Sequence, residues 1–235
     1  MTAATAIPGA RRAEGAAGPG NSPSTLREAI AVFVRHGSPR ILMVCFALVL
    51  VVRFAVGQWT VWDVAPPIGL VLFWPIQEWL IHVFILHAKP KRLLGRNLDF
   101  RVPRKHRAHH RDPWRLDLLF IPIHSFLVSI PLVVAIWFVV TPTTPLALTG
   151  IAGHFLLALH YEWVHFLVHT RVQPRRAYYR RLRDNHRRHH FKNEHYWFGV
   201  TMLGGDHLLR TAPEVGAVET SPTARDLEQS HRDAA

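Results

Sequence analysis

Four long apolar runs limit this chain to one kind of architecture. They read "ILMVCFALVLVVRFAVGQW" (41–59), "APPIGLVLFWPIQEWLIHVFILH" (65–87), "LLFIPIHSFLVSIPLVVAIWFVV" (118–140) and "PLALTGIAGHFLLALHYEWVHFLVH" (145–169). Each is close to the ~20 residues that a helix needs to cross the hydrocarbon of a bilayer. With 49% of 235 residues apolar and concentrated in these blocks, the expected fold is an all-α integral membrane protein with four transmembrane helices. Pro75 is placed to kink the second of them.

The formal charge of +12 would by itself permit a nucleic-acid partner. Its distribution argues against one, because the basic residues border the apolar runs. Lys and Arg number five before residue 41, ten in 88–117 and nine in 170–192, against none in 60–64 and 141–144. That asymmetry puts both termini and the middle segment on the cytosolic face of a multi-pass protein. Alanine and arginine richness points to a bacterial inner membrane.

Residues 1–25 are rich in Ala, Gly, Pro and Ser and read as a disordered tail. Arg11 and Arg12 are followed by Gly and Pro rather than an apolar segment, which excludes a signal peptide at that point. "STLREAIAVFVRHG" (24–37) reads as a short amphipathic helix capped by Ser24 or Thr25, with Glu28 in its first turn. Residues 26–212 then form the membrane domain, and 213–235 a flexible tail.

The chain carries seventeen histidines. His82 and His87 close the second run, "HRAHH" supplies His106, His109 and His110, His165 and His169 close the fourth, and His186, His189 and His190 follow. The topology derived from charge alone brings all four groups to one membrane face. Residues three and four apart share a helix face, so each H-x-x-H-H can present two or three imidazoles to one centre, and His165 and His169 can present two. His82 and His87 are five apart, about 140° around an ideal helix, and need a bent or frayed helix end. Glu78 and Glu162 precede His82 and His165 by four and three residues, as extra ligands or as acceptors that fix imidazole tautomers. His36, His124, His154 and His231 stand alone and read as structural.

Ten imidazoles exceed one coordination shell and suit two ions with about five nitrogens each. Cys45 is the only cysteine and lies inside the first run, so thiolate ligation is excluded in practice. An all-nitrogen site against lipid points to iron handling O2 and an inert C–H bond. A metal transporter is the remote alternative, but it would carry ionisable groups near the middle of its spans. Here most histidines gather at one end.

The order H-x4-H, H-x2-H-H, H-x3-H, H-x2-H-H, carried by "EWLIHVFILHAKP" (78–90), "RKHRAHHRDP" (104–113), "YEWVHFLVH" (161–169) and "NHRRHHFKNEHYWFGVT" (185–201), closely resembles the fatty acid hydroxylase and sterol desaturase superfamily of membrane di-iron enzymes. The likeness covers residue 41 to about 212. It implies that the ten histidines named above ligate two iron ions. It also implies that a lipid is hydroxylated with O2 and electrons from a separate cytochrome b5-like protein, or from a ferredoxin with its reductase. The four-residue gap between His82 and His87 is similar to that of fatty acid 2-hydroxylases, so a fatty acyl chain is the expected substrate. Sterol or lipid desaturation and carotenoid hydroxylation are the nearest alternatives. His160, His195 and Asp184 lie beside the pattern and join Glu78 and Glu162 as candidate supporting groups. After "FGVT" the chain departs from the family's usual continuation and reads "MLGGDHLLRT" (202–211).

Overall fold

The computed structural model describes residues 22–225 and 227. Among the described residues, four stretches are long and apolar enough to cross a membrane: Gly37–Val56, Val61–Leu86, Leu116–Val140 and Thr144–Val168. They coincide with the four runs to within a few residues. Most of the disordered tail expected at the N-terminus, residues 1–21, lies outside the described residues.

Helix α1 (Leu26–Phe33) begins at Thr25, whose hydroxyl accepts from the Glu28 amide while the Glu28 carboxylate accepts from the Thr25 amide. This reciprocal cap satisfies two of the amides that a helix start leaves unpaired. The helix buries Ala29 and Phe33 against Leu119, Phe120 and Phe166 and leaves Leu26, Ile30 and Val34 exposed. An apolar outer face on a short helix beside the spans suits an interfacial position.

Helix α2 (Gly37–Val56) is the first span. The second opens with a tight turn at Val61–Val64, continues as α3 (Ala65–Leu80) through Pro75, and widens over Ile81–Leu86 into a π-helical turn. A hairpin of β1 (Lys91–Leu93) and β2 (Arg96–Leu98), turning at Leu94 and Gly95 with positive φ, leads to α4 (Arg101–Arg111). Short α5 (Leu116–Leu119) precedes α6 (Phe126–Val140), and α7 (Thr144–Val168) is the fourth span. Beyond it come α8 (Ala177–Phe191) and the single turn α9 (Gly204–Leu208). The hairpin is the one departure from an all-helical chain among the described residues.

Because the spans alternate in direction, the starts of α2 and α6 and the ends of the second span and α7 share one end of the bundle. Helices α4, α8 and α9 connect at that end. At the other end the Arg53 guanidinium is buried. It donates to Thr149 Oγ1 at 2.8 Å, to Asp63 at 2.5 Å and to the Gly57 carbonyl, and it lies 3.5 Å over the Trp59 ring. The single charge in the first run is therefore paired at a helix end.

Helix α7 is the hub, packed against α2, α3 and α6. Small residues permit such approaches in lipid, where helix association relies on packing. A Cβ on Gly150 would stand 2.2 Å from the Trp137 ring, whereas one on Gly153 would meet only Leu70, at 3.4 Å. Gly150→Ala should therefore cost about 1–3 kcal/mol, with Gly153→Ala close to neutral. Thermal unfolding of the two variants in detergent checks the contrast.

Candidate metal centre

The ten histidines predicted from sequence lie together at one end of the bundle, in two groups of five. One comprises His82, His87, His106, His110 and His189; the other comprises His109, His165, His169, His186 and His190. Within each group one ring nitrogen per residue lies within 4.8 Å of all the others. Nine of the ten are no more than 7% exposed, and His87 is partly so.

Local helix geometry explains the sorting. In α4 the i,i+4 pair His106 and His110 turns to the first group and His109 to the second. In α8 the pair His186 and His190 turns to the second group and His189 to the first. Each H-x-x-H-H therefore serves both groups, and stacked His110 and His190, 4.1 Å between centroids, join them. The His87 amide bonds the His82 carbonyl at 3.0 Å, closing an i→i+5 turn. That turn brings the two rings to 5.0 Å and resolves the awkward five-residue spacing.

Backbone carbonyls aim the rings. His82 Nδ1 donates to Phe198 O at 2.6 Å, His189 Nδ1 to Tyr196 O at 2.8 Å, His165 Nδ1 to Leu119 O at 3.1 Å and His110 Nδ1 to Ala224 O at 2.9 Å. A carbonyl only accepts, so these four imidazoles carry the proton on Nδ1 and present a bare Nε2.

Glu78 and Glu162 support these carbonyls rather than the imidazoles. Glu78 is buried and accepts from the amides of Val200 and Thr201 and from the Thr201 hydroxyl. Asp206, fully buried, accepts from the amides of Phe198 and Gly199 at 2.9 and 2.7 Å, and Asn185 donates to the Gly199 carbonyl at 2.8 Å. Together they hold the 196–201 loop that serves His82 and His189. Glu162 accepts from the Ile121 amide at 2.6 Å and the Ser38 hydroxyl at 3.0 Å, fixing the segment that serves His165.

Asp206 and Asn185 were absent from the sequence reading, although "MLGGDHLLRT" was singled out as a departure. The other three candidates lie apart from the clusters. His160 faces α1 in a groove with Ile30, Phe33 and Trp163. His195 is 68% exposed beside Glu194, and Asp184 is exposed next to Arg183. Two residues apart on a helix, Asp184 and His186 point to different faces. Within the expected flexible tail, 213–235, residues 219–225 bond the ends of α4 and α8, and the Ala224 carbonyl reaches the cluster; residues 226 and 228–235 lie outside the described residues.

The donor set fits metal ions. Nε2 of His82, His165 and His169, Nδ1 of His186 and His190, and both ring nitrogens of His109 are buried with no hydrogen-bond partner among the described residues. Nε2 atoms also face one another across His87 and His189 at 3.1 Å, His106 and His110 at 3.2 Å, and His186 and His190 at 3.0 Å. A neutral imidazole has one N–H and one lone pair, so each ring has a single bare nitrogen to offer; bare nitrogens gathered this closely are satisfied by shared cations, and buried polar atoms without partners are otherwise costly.

Burial, reinforced by the neighbouring imidazoles, holds His87, His106, His109, His169, His186, His189 and His190 well below the ordinary histidine value of 6.5. Burial also pushes His110 down to about 3. All are neutral at pH 7, the form that binds metal.

An apolar cavity of about 310 Å³ runs into the bundle from the histidine end. Trp74, Ile81 and Ile85 of the second span, Phe126 and Ile130 of α6, and Phe155 of α7 line it. It touches one histidine of each group, His106 and His165, and extends down α7 as far as His154. Eleven residues of helix separate His154 from His165, roughly 16 Å.

Two expectations follow. Glu78→Gln and Glu162→Gln, which replace an all-acceptor group by one that also donates, should each weaken metal retention by ~10–100-fold, measured by competition with a chelator. The depressed histidines take up protons in the unfolded chain below pH 6.5 but not yet in the folded one, so stability of the metal-free protein is complete above that pH and falls below it. A melting series of apo protein from pH 8 to pH 5 should show the loss, at up to about 1.4 kcal/mol per pH unit for each such histidine.

The comparisons agree with this geometry. The family model described as fatty acid hydroxylase matches residues 68–211. The chain is 29% identical over 157 residues to dihydroceramide fatty acyl 2-hydroxylase FAH1 of Arabidopsis thaliana, covering 66% of this chain and 64% of that protein. It is 28% identical over 147 residues to the fatty acid 2-hydroxylase of Rattus norvegicus, covering 60% of this chain and 37% of the other. The chain thus spans less than two thirds of the length of these relatives. A solved structure described as full-length scs7p, with only its hydroxylase domain visible, shares the fold at a TM-score of 0.62 and 19% identity, over 82% of this chain and 68% of that one. With the family match extending over more than half of its length and all four histidine motifs inside that match, the chain belongs to the fatty acid hydroxylase family.

Proposed function

We propose that the protein is a membrane di-iron oxygenase that hydroxylates a fatty acyl chain near its polar end. The observation that carries this reading is the apolar cavity ending on His106 and His165, one histidine from each group. In this reading all ten histidines are ligands, with one iron in each group of five. Bound iron supplies the reductive activation of O2 needed to attack an unactivated C–H bond.

The chain's own residues do the rest. Apolar walls exclude water and hold an acyl chain tail-down, with its far end toward His154 in the interior of the bundle. The carbons nearest the polar end then lie beside His106 and His165. That orientation agrees with the names of the Arabidopsis and rat relatives, both 2-hydroxylases. Lys105 and Ser125 also line the cavity and can meet a headgroup. Entry is lateral, between the second span and α6, which both pack on α7 and expose Phe84, Ile85, Leu127 and Leu132 on their outer faces.

The same reading places both termini and the histidine end in the cytosol, in a bacterial inner membrane. The basic segments at that face suit an acidic, separate electron donor of the cytochrome b5 or ferredoxin kind.

The test uses iron-supplemented protein in detergent, a chemical reductant, O2 and long-chain acyl lipid, with product located by mass spectrometry. Two irons per chain and a hydroxyl at the second carbon are expected. His106→Ala and His189→Ala should lower turnover by more than ~100-fold, beyond the usual cost of losing a group that only supports a ligand, with the protein still inserted. Ala158→Phe, which fills the cavity wall, should shorten the preferred chain and leave both irons in place. Metal flux across vesicles without redox turnover would overturn the enzyme reading, and a double bond in the product would redirect it to desaturation.

A further inference from the structure

Residues 213–225 continue beyond residue 211, where the family match stops, and cross the ends of both helices that carry H-x-x-H-H. On the α8 side, the Ser221 amide donates to the Lys192 carbonyl at 2.7 Å, the Asn193 side chain donates to the Glu219 carbonyl at 3.3 Å, and the Thr223 hydroxyl bonds the buried carboxylate of Glu194. On the α4 side, the Ala224 carbonyl accepts from His110 Nδ1 at 2.9 Å. Arg225 donates from Nε to the His110 carbonyl at 3.2 Å and from Nη2 to the Arg111 carbonyl at 2.9 Å. Its guanidinium also lies 5.3 Å over the Phe191 ring at the end of α8. Ala224 and Leu227 are 2% and 8% exposed.

These contacts answer specific physical needs. Helix α4 ends at Arg111, and the last carbonyls of a helix have no partner within it. A guanidinium there satisfies two of them and opposes the negative end of the helix dipole. The adjacent carbonyl, on Ala224, decides which nitrogen of His110 carries the proton and leaves Nε2 bare toward His106. One dipeptide thus holds both the backbone and the ring of a single histidine. The other three carbonyl acceptors, on Phe198, Tyr196 and Leu119, lie within the matched region.

We infer that residues 213–225 form a strap belonging to the metal centre, in which the Ala224 carbonyl and the Arg225 guanidinium position His110 for the metal of its group. The inference rests on the di-iron reading for its iron-loaded test and on hydrogen bonding alone for its metal-free test. Ala224 and Arg225 are positioning residues that act through His110. Among the described residues, the strap makes no hydrogen bond to a ring of the second group, so its loss should fall on the group of His82, His87, His106, His110 and His189.

The experiment compares the full chain with Arg225→Ala, Arg225→Lys and a chain ending at residue 212. In metal-free protein, the rate at which diethylpyrocarbonate modifies His110 is followed by peptide mapping. In iron-loaded protein, Mössbauer spectra and chelator kinetics follow the two irons separately. The strap predicts faster modification of His110 in Arg225→Ala and in the shortened chain. It also predicts that one of the two irons is released ~10–100-fold faster, with Arg225→Lys restoring much of the loss because a lysine still donates to a carbonyl. His110 protected as in the full chain, with both irons leaving at unchanged rates, would overturn the inference. If the shortened chain loses helicity or aggregates, Arg225→Ala decides alone. If the full chain takes up fewer than two irons, the di-iron reading fails, and the protection of His110 in metal-free protein still decides whether the strap positions it.

Discussion

A proton on Nδ1, given to a backbone carbonyl, settles the inward nitrogen of His82, His110, His165 and His189. Without that bond each of these four neutral imidazoles has two tautomers and a ring free to turn, and both groups lose rings whose bare nitrogen is aimed inward. Peptide carbonyls suit the task because they accept without adding negative charge beside buried neutral rings. The carboxylates sit one step further out, where their charge is met by amides and hydroxyls. Glu78, Glu162 and Asp206 therefore aim the metal centre by holding the loops that hold the rings.

The same arrangement ties the cap to the membrane bundle. Glu78 lies one turn before His82 on the second span, and Glu162 lies one turn before His165 on the fourth. Trp74 and Trp79 add bonds from the second span to Thr201 and Thr211, at 3.1 and 2.9 Å. The rigid spans thereby set the position of a loop-rich cap, which is the support a preorganised site requires. It also explains how the cavity can end on both groups at once: His165 is carried by α7, which supplies part of its wall, and His106 by α4 of the cap that those spans hold in place.

The spans, their alternation and the ten histidines were legible in the sequence because they follow from local rules. Apolar length, basic flanks and i,i+3 or i,i+4 spacing need no knowledge of tertiary structure. The acceptors for the rings were not legible, since every residue has a carbonyl and only the folded loop decides which carbonyl meets which ring. Nothing in the identity of Leu119, Tyr196, Phe198 or Ala224 marks it for that role. Asp206 was hidden for a related reason, as its partners are the amides of Phe198 and Gly199 in a loop whose shape the sequence does not specify. The close packing at Gly199, where a Cβ would stand 2.6 Å from the Met202 carbonyl, is visible only in three dimensions.

Two pairs of histidines with identical spacing show how much a single turn decides. His82 and His87 are five apart, and so are His160 and His165. In α7 the helix stays regular through Val168, so His160 stands about 140° from His165 and faces α1. In the second span the turn widens over Ile81–Leu86, the i→i+5 bond forms, and both rings enter one group. A π-helical turn is less favourable than an α-helical one and persists where the surroundings compensate for it. Here the compensation is specific: the His82 ring is pinned by the Phe198 carbonyl, and the turn places His87 Nε2 3.1 Å from His189 Nε2, where a shared cation would hold both. A regular helix through residue 87 would keep one of the two rings in the group and turn the other away, leaving four nitrogens where the opposite group has five. The widened turn is thus the feature that equalises the two groups, and the four residues between His82 and His87 are the sequence trace of it.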